Sequence, residues 1–402
     1  MTTPIAESTM GLRGAKSRLL LCVAVALAAG AAPQAVAGPT ITYGEEGYLT
    51  ISYAFQYWTQ YRSFTSPTDN GSTWDSFFRR NRLLFAGQAN DLIGYYLQFE
   101  SGNDGKGGQS DKSIYYRDAY LTVDYSDPLR LIVGRFKNTF TRENLEACME
   151  PLSIDRAEVI SYTPFGANGG GTRDDGVALW GNLADGKFQY RLMVADGREG
   201  EIVPKKSPRL TARVHVSLWE PETDYGYHSN YLGTKKVLTI GAAYDYQANV
   251  AYANYPARTD IKDYKAWTVD AMMEYPTASG SYVLSAAYMD YDTGNAINLS
   301  PDPDLPVTSQ LKAYYVKGAW LYPEKVGWGR IQPYFRYEHS DYGVSSGYYS
   351  QKWRGGGVNY YFNGQNLRLS VEYANIKFDK QNPTDASLQD YSQTTIALQF
   401  IF

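Results

Sequence analysis

Cysteine and histidine are scarce in this chain, two and three among 402 residues. One of the cysteines, Cys22, sits in an N-terminal segment that reads as a removable leader. That leaves Cys148 alone, so no internal disulfide framework is expected. Three separated histidines do not make a multi-ligand metal site, and no C-x-x-C-H stretch exists to attach haem. His215 and His339 read as interior or rim residues. Phosphate-cradling, dinucleotide-binding and G-x-S-x-G stretches are missing, and no nucleophile–base arrangement is visible, so an enzyme is not expected and no cofactor is implied. No basic block suggests nucleic-acid binding. Long apolar runs are missing too. Beyond residue 37 nothing approaches the roughly 20 apolar residues of a membrane helix. A mean hydropathy of −0.42 would suit a soluble protein. It also suits a membrane protein whose apolar residues alternate with polar ones, because averaging cancels alternation.

The N-terminus argues for export. Arg13, Lys16 and Arg18 precede LLLCVAVALAAGAA, and QAVA follows. A basic region, a short apolar run and an A-x-A site make a signal peptide over residues 1–37, cut after Ala37. Cys22 follows Leu21 rather than a small residue, so lipidation is not expected. Translation starts at Met1 or Met10. Removing the leader takes away three basic residues and Glu7, so the chain's charge of −4 becomes −6.

What is abundant is tyrosine, 37 residues, with 37 glycines and 8 tryptophans. They fall in alternating segments such as YLTISYAFQYWTQY (48–61), DAYLTVDY (118–125), RLTARVHVSLW (209–219) and LRLSVEYANIKF (367–378). About sixteen such strands can be counted, with no convincing long helix and no linker dividing 38–402. Short polar turns such as QANDL (88–92), YSDP (125–128) and ADG (184–186) alternate with longer segments. That rhythm, with an even strand count, is the pattern of an outer-membrane β-barrel with short periplasmic turns and long external loops. The turn at 220–235 is longer than the scheme wants. Apolar residues share one face of each strand: Leu210, Val214, Val216 and Leu218 oppose Arg213 and His215, and Leu367, Leu369, Val371 and Tyr373 oppose Arg368 and Glu372. A β-sandwich would bury the apolar face; a barrel turns it to lipid. Strand length, aromatic residues near strand ends and the absence of any edge favour the barrel. The chain ends in TTIALQFIF, with Ile396, Leu398, Phe400 and Phe402 on one face. Such a strand is expected to face lipid and to pair with 48–61.

The longest connection, 137–172, carries Phe140, Leu145, Met149, Leu152, Ile154, Val159, Ile160 and Phe165 among charges. That is too apolar for a free loop. It is expected to fold into the lumen and form its constriction, with an external cap as the alternative. Its charged members are Lys137, Arg142, Glu143, Glu146, Glu150, Asp155, Arg156 and Glu158, three bases against five acids. Cys148 reads as a small buried residue of this loop.

GRFKNTFTRENLEACMEPLSIDRAEVISYTPFG, GTRDDGVALWGNL and GKFQYRLMVADGR, together with FFRRNRLLF (77–85), resemble the phosphate-selective porin O/P family. The resemblance is strongest over 79–198. It implies a sixteen-stranded outer-membrane barrel, commonly trimeric, with a third loop that narrows the pore. Arginine suits phosphate because its planar fork donates two hydrogen bonds to one oxyanion. The candidate anion-contact residues are Arg80, Arg82, Lys187, Arg191, Arg213, Lys317, Arg336 and Arg368. For each, the alternative is a neutral pairing with an inward acid such as Glu100, Asp118, Asp270, Glu274, Glu338 or Glu372. The expected function is passive diffusion of small hydrophilic solutes, anions such as phosphate foremost. The other reading is a barrel that sheathes a partner such as a multihaem cytochrome. The expected partners are outer-membrane lipid, two further copies of the chain in a homotrimer, and the barrel-assembly machinery reading Phe402.

Overall fold

The computed structural model describes residues 38–63, 71–101, 114–161, 172–199, 203–254, 257–294, 310–344, 347–379 and 389–402. The leader expected at 1–37, most of the long connections, and Phe165 lie outside these. A short strand β1 (Thr40–Tyr43) folds back on β2 (Gly47–Ser63). The rest follow as β3 (Ser72–Gln88), β4 (Ile93–Ser101), β5 (Ile114–Ser126), β6 (Leu129–Lys137), β7 (Arg173–Leu183), β8 (Phe188–Ala195), β9 (Arg209–Ser217) and β10 (Val237–Asn254). Then come β11 (Thr259–Thr277), β12 (Gly280–Asp292), β13 (Gln310–Leu321), β14 (Arg330–Val344), β15 (Gly347–Asn363), β16 (Leu367–Phe378) and β17 (Tyr391–Ile401).

Each strand from β2 to β17 pairs antiparallel with its neighbours in sequence, and β17 pairs with β2, from Ser392 opposite Ser63 to Ile401 opposite Ala54. The sheet is a closed sixteen-stranded antiparallel barrel. Closure pairs the backbone groups that an open edge would leave bare, which is what allows strands to cross a bilayer.

The two faces of β9 exclude a water-soluble sandwich. Leu210 is 45% exposed, while Arg209, Arg213 and His215 are 2%, 1% and 1% exposed. Leu192 and Val194, Phe335, Val371 and Tyr373 repeat the pattern on other strands. Apolar side chains out and polar ones in is the arrangement lipid imposes. Exposed rings crowd both rims, with Trp74 and Tyr116 on the loop side and Tyr125 and Trp328 on the turn side. In the last strand Ile396, Leu398, Phe400 and Phe402 face outward while Thr395 and Gln399 are buried. Phe402 exchanges both backbone hydrogen bonds with Tyr53 and packs its ring 5.8 Å from the Tyr53 ring.

Candidate functional site in the barrel interior

After β6 the chain breaks from the wall. The Thr141 hydroxyl accepts from the Asn144 amide and caps a single helical turn, α1 (Arg142–Leu145). From Asn138 to Ile160 every residue is buried. The partners of this segment are inward-facing groups from around the barrel. Asp155 bridges Arg79 and Arg80 at 2.7 Å each, and Glu143 meets Lys317. Arg368 donates to the Pro151 carbonyl at 3.0 Å, Asn359 to that of Leu152 at 2.9 Å, and the Glu158 amide to Glu338 at 2.7 Å. Phe140, Val159 and Ile160 pack with Tyr264, Tyr291, Tyr315, Tyr342 and Trp353.

Two β-bulges shape the wall beside it. Between β2 and β3, Gln56 lies opposite Arg80 and Tyr57 opposite Phe78, leaving Arg79 extra. Between β4 and β5, Gln98 lies opposite Asp118 and Phe99 opposite Tyr116, leaving Arg117 extra. A bulge puts two consecutive side chains on one face. Arg79 therefore joins Arg80 inside, and Arg117 joins Asp118, where it meets Glu100 at 2.7 Å. Arg82 also pairs with Glu100, and Arg173 with Asp118. Arg156 and Lys137 complete the group and meet no carboxylate among the described residues. Arg156 donates to the Asn144 side chain, and Lys137 to the Leu145 and Glu146 carbonyls. Among the described residues, seven basic side chains (Arg79, Arg80, Arg82, Arg117, Lys137, Arg156, Arg173) thus stand with three carboxylates (Glu100, Asp118, Asp155). Among the described residues, Arg80 Nε, Arg117 Nε, Arg156 Nε and Arg173 Nη1 are buried without an acceptor. Cys148 sits among them, wholly buried. Burial alone would push its thiol up, but Arg156, Lys137, Arg82 and Arg173 hold it well below the ordinary thiol range.

The remaining interior is closer to neutral. Arg209 pairs with Asp245 and Asp174, Arg213 with Asp270 at 2.7 Å, and Arg336 with Glu338 and Glu372. Gly241 makes room for one of these pairs, since a Cβ there would lie 2.5 Å from Arg213 Nη2.

The long turn after β9 fills another part of the interior. Tyr225, Tyr227, Ser229 and Asn230 are buried. The Tyr227 amide donates to the Leu145 carbonyl at 3.3 Å, and the Ala147 amide to the Tyr227 carbonyl at 3.1 Å. Arg142 forks onto Glu222 through two 2.8 Å hydrogen bonds. His228 Nδ1 lies 2.7 Å from Glu150. Burial opposes a charged His228, but Glu150, aided by Asp224 and Glu222, raises it above the ordinary histidine value. Burial raises Glu222, yet Arg142 outweighs it and holds that carboxyl well below its ordinary range. Burial and then Glu143 push Glu146 up to about 7.

The sequence profile of the family described as phosphate-selective porin O and P matches residues 51–217 and 306–402. The chain belongs to this family. This porin is an outer-membrane channel, and family and fold fit a channel better than an enzyme. No curated protein matches its sequence. Its fold is similar to that of Salmonella typhi OmpF in complex with daunomycin, with TM-score 0.61 and 14% identity over 90% of this chain and 99% of that one. It is also similar to the outer membrane channel DcaP of Acinetobacter baumannii, with TM-score 0.55 and 14% identity over 89% and 98%. A third similar structure is the anion-selective porin from Comamonas acidovorans, with TM-score 0.54 and 12% identity over 89% and 100%.

Of this porin's expected contact residues, Arg80, Arg82, Arg191, Arg213, Lys317, Arg336 and Arg368 are all buried inside the barrel. Only Arg80 and Arg82 belong to the basic cluster. Arg191 and Arg368 meet no carboxylate among the described residues; they donate to Tyr227 and Tyr225, and to Pro151, Gln365 and Gln399. Lys187 needs correcting. It is exposed in the turn before β8, and its ammonium caps the Trp219 carbonyl, because alternation carried one residue too far reaches the turn. Arg79 and Arg117 were missed, since strict alternation sends both outward. The arginine doublet in RRNR was the one available signal. His228 and Tyr227 were missed because a turn was not expected to enter the interior, although its excess length pointed there.

Proposed function

We propose that this porin passes small anions by diffusion, with the 138–160 segment forming the constriction and the bulged arginine cluster beside it acting as the selectivity element. The carrying observation is the excess there, among the described residues, of seven basic side chains over three carboxylates and the Cys148 thiol, in a mature chain whose net charge is −6. Local field, not total charge, governs what enters a low-dielectric passage. The unaccepted guanidinium N–H groups offer an oxyanion several moderate contacts in place of one deep trap. The family's description and that of the Comamonas porin support the same direction. The reading includes a leader cut after Ala37, a homotrimer, and assembly through Phe402. An interior occupied by the chain's own segments weighs against a sheath around a cytochrome.

The test is the reversal potential of single channels in a potassium chloride gradient. It should lie toward the chloride equilibrium potential, with phosphate and a non-aromatic organic anion such as acetate competing with chloride for the open passage. A reversal potential toward that of potassium overturns the proposal.

A further inference from the structure

Between Ser217 and Val237 the chain spends residues 218–236 on a connection that its neighbours on the same rim make in two to eight residues, such as 278–279 or 322–329. Joining antiparallel neighbours needs as few as two residues. The surplus runs inward and sets Tyr227 among three guanidiniums from three different elements. Arg142 of α1, Arg191 of β8 and Arg213 of β9 lie 4.5, 4.5 and 5.3 Å from the ring centroid. The phenol oxygen takes a hydrogen bond from Arg191, another from Arg213 Nε at 3.3 Å, and lies 2.6 Å from His215 Nδ1. Arg142 and Arg213 have acids of their own, but Arg191 has none among the described residues. A flat ring against cations with its oxygen held by N–H donors is a geometry suited to an aromatic anion. A phenol offers these donors one oxygen, where an aryl carboxylate would offer two and a full charge.

We propose that the Arg142–Arg191–Arg213–His215 box is a binding site for a planar aromatic anion such as an aryl carboxylate, filled here by the chain's own Tyr227, so that the 218–236 connection closes the passage until such a solute takes its place. The inference deepens the anion-channel reading and rests on it. The ring is tethered, so a competitor meets an effective concentration in the millimolar range. A solute of matching affinity at roughly 10 mM would displace Tyr227 in about half of the molecules.

The test records the full chain in planar bilayers with 4-hydroxybenzoate or acetate added at roughly 10 mM. The open fraction should rise with 4-hydroxybenzoate and stay unchanged with acetate. Tyr227→Ala should raise the open fraction without any solute and abolish the response. Tyr227→Phe keeps the packing and loses only the oxygen; it should open more readily and respond at a lower solute concentration. It preserves the test if the alanine variant does not fold, as judged by heat-modifiable mobility. Equal effects of the two solutes, or a Tyr227→Phe variant indistinguishable from the parent, overturn the inference. Reversal potentials from the same records separate the two readings. Retained chloride preference without an aromatic effect sinks the box alone, whereas potassium preference sinks the anion channel beneath it.

Discussion

At the scale of single residues, the decisive feature is where two extra arginines point. Arg79 and Arg117 face inward because each sits in a bulge. Both are tied to acids that already have a partner, so together they turn paired charge into a surplus. Replacing Arg117 with glutamine leaves Glu100 paired with Arg82, so the wall should hold. The anion-to-cation permeability ratio should then fall by about five-fold, equivalent to ~1 kcal/mol at the constriction. Reversal potentials of the variant measure it, and an unchanged ratio would remove Arg117 from the selectivity element. Cys148 lies wholly buried in the same cluster, its thiol held low by Arg156, Lys137, Arg82 and Arg173. Cys148→Ser removes a buried negative charge from beside these bases, so the anion-to-cation permeability ratio should rise, as reversal potentials measure. A lower ratio would mean that the thiol carries no negative charge there.

At the scale of elements, the contact between the 138–160 segment and the 218–236 connection depends on two titratable groups, His228 and Glu146. His228 faces Glu150 from the first segment and Asp224 and Glu222 from its own. The Tyr231 ring lies 5.0 Å away, Arg142 holds the His228 carbonyl, and Asp118 and Lys137 line the same small cavity. A histidine raised by its partner strengthens the contact below its ordinary value, and that contribution is lost as pH rises through the raised one. Glu146, at about 7 through burial and Glu143, acts with the same sign: charging it above neutrality sets it against Glu143 and Glu222. The contact should therefore loosen as pH rises from about 4.5, the ordinary glutamate value, to about 7 through Glu146, and onward through the raised value of His228, with the open fraction rising. His228→Gln should flatten the part due to the histidine. A channel that closes as pH rises would contradict both assignments.

At the scale of the whole molecule, the barrel stands or falls on its seam. Phe402 adds one more pair of backbone hydrogen bonds beyond the β17–β2 ladder and packs its ring on Tyr53. Deleting it should lower the amount of heat-modifiable protein in the outer membrane several-fold while leaving the conductance of the inserted fraction unchanged. Normal membrane levels would show that the terminal aromatic is dispensable for assembly. Burial of an ion pair is weak evidence for stability, because desolvation offsets attraction. The interior pairs are better read as setting the passage than as holding the barrel, which the ladder and the lipid-facing side chains do.

The strand count, the facing of nearly every side chain on them, the outward last strand and the inward Arg80 and Arg82 were all legible in the chain, because period-two alternation is a local property that lipid and lumen enforce residue by residue. The excess length at 220–235 was legible too, but not its destination. A bulge is decided by the register of two strands, so Arg79 and Arg117 read as outward until β3 was laid against β2 and β5 against β4. The surplus of positive charge was hidden for the same reason. Summed along the chain the acids prevail; pairing of β3 through β7 and the inward course of the 138–160 segment gather the bases at one place. The site Tyr227 occupies likewise belongs to no stretch of sequence: β8 and β9 set Arg191 opposite Arg213, and α1 joins them only because the 138–160 segment leaves the wall.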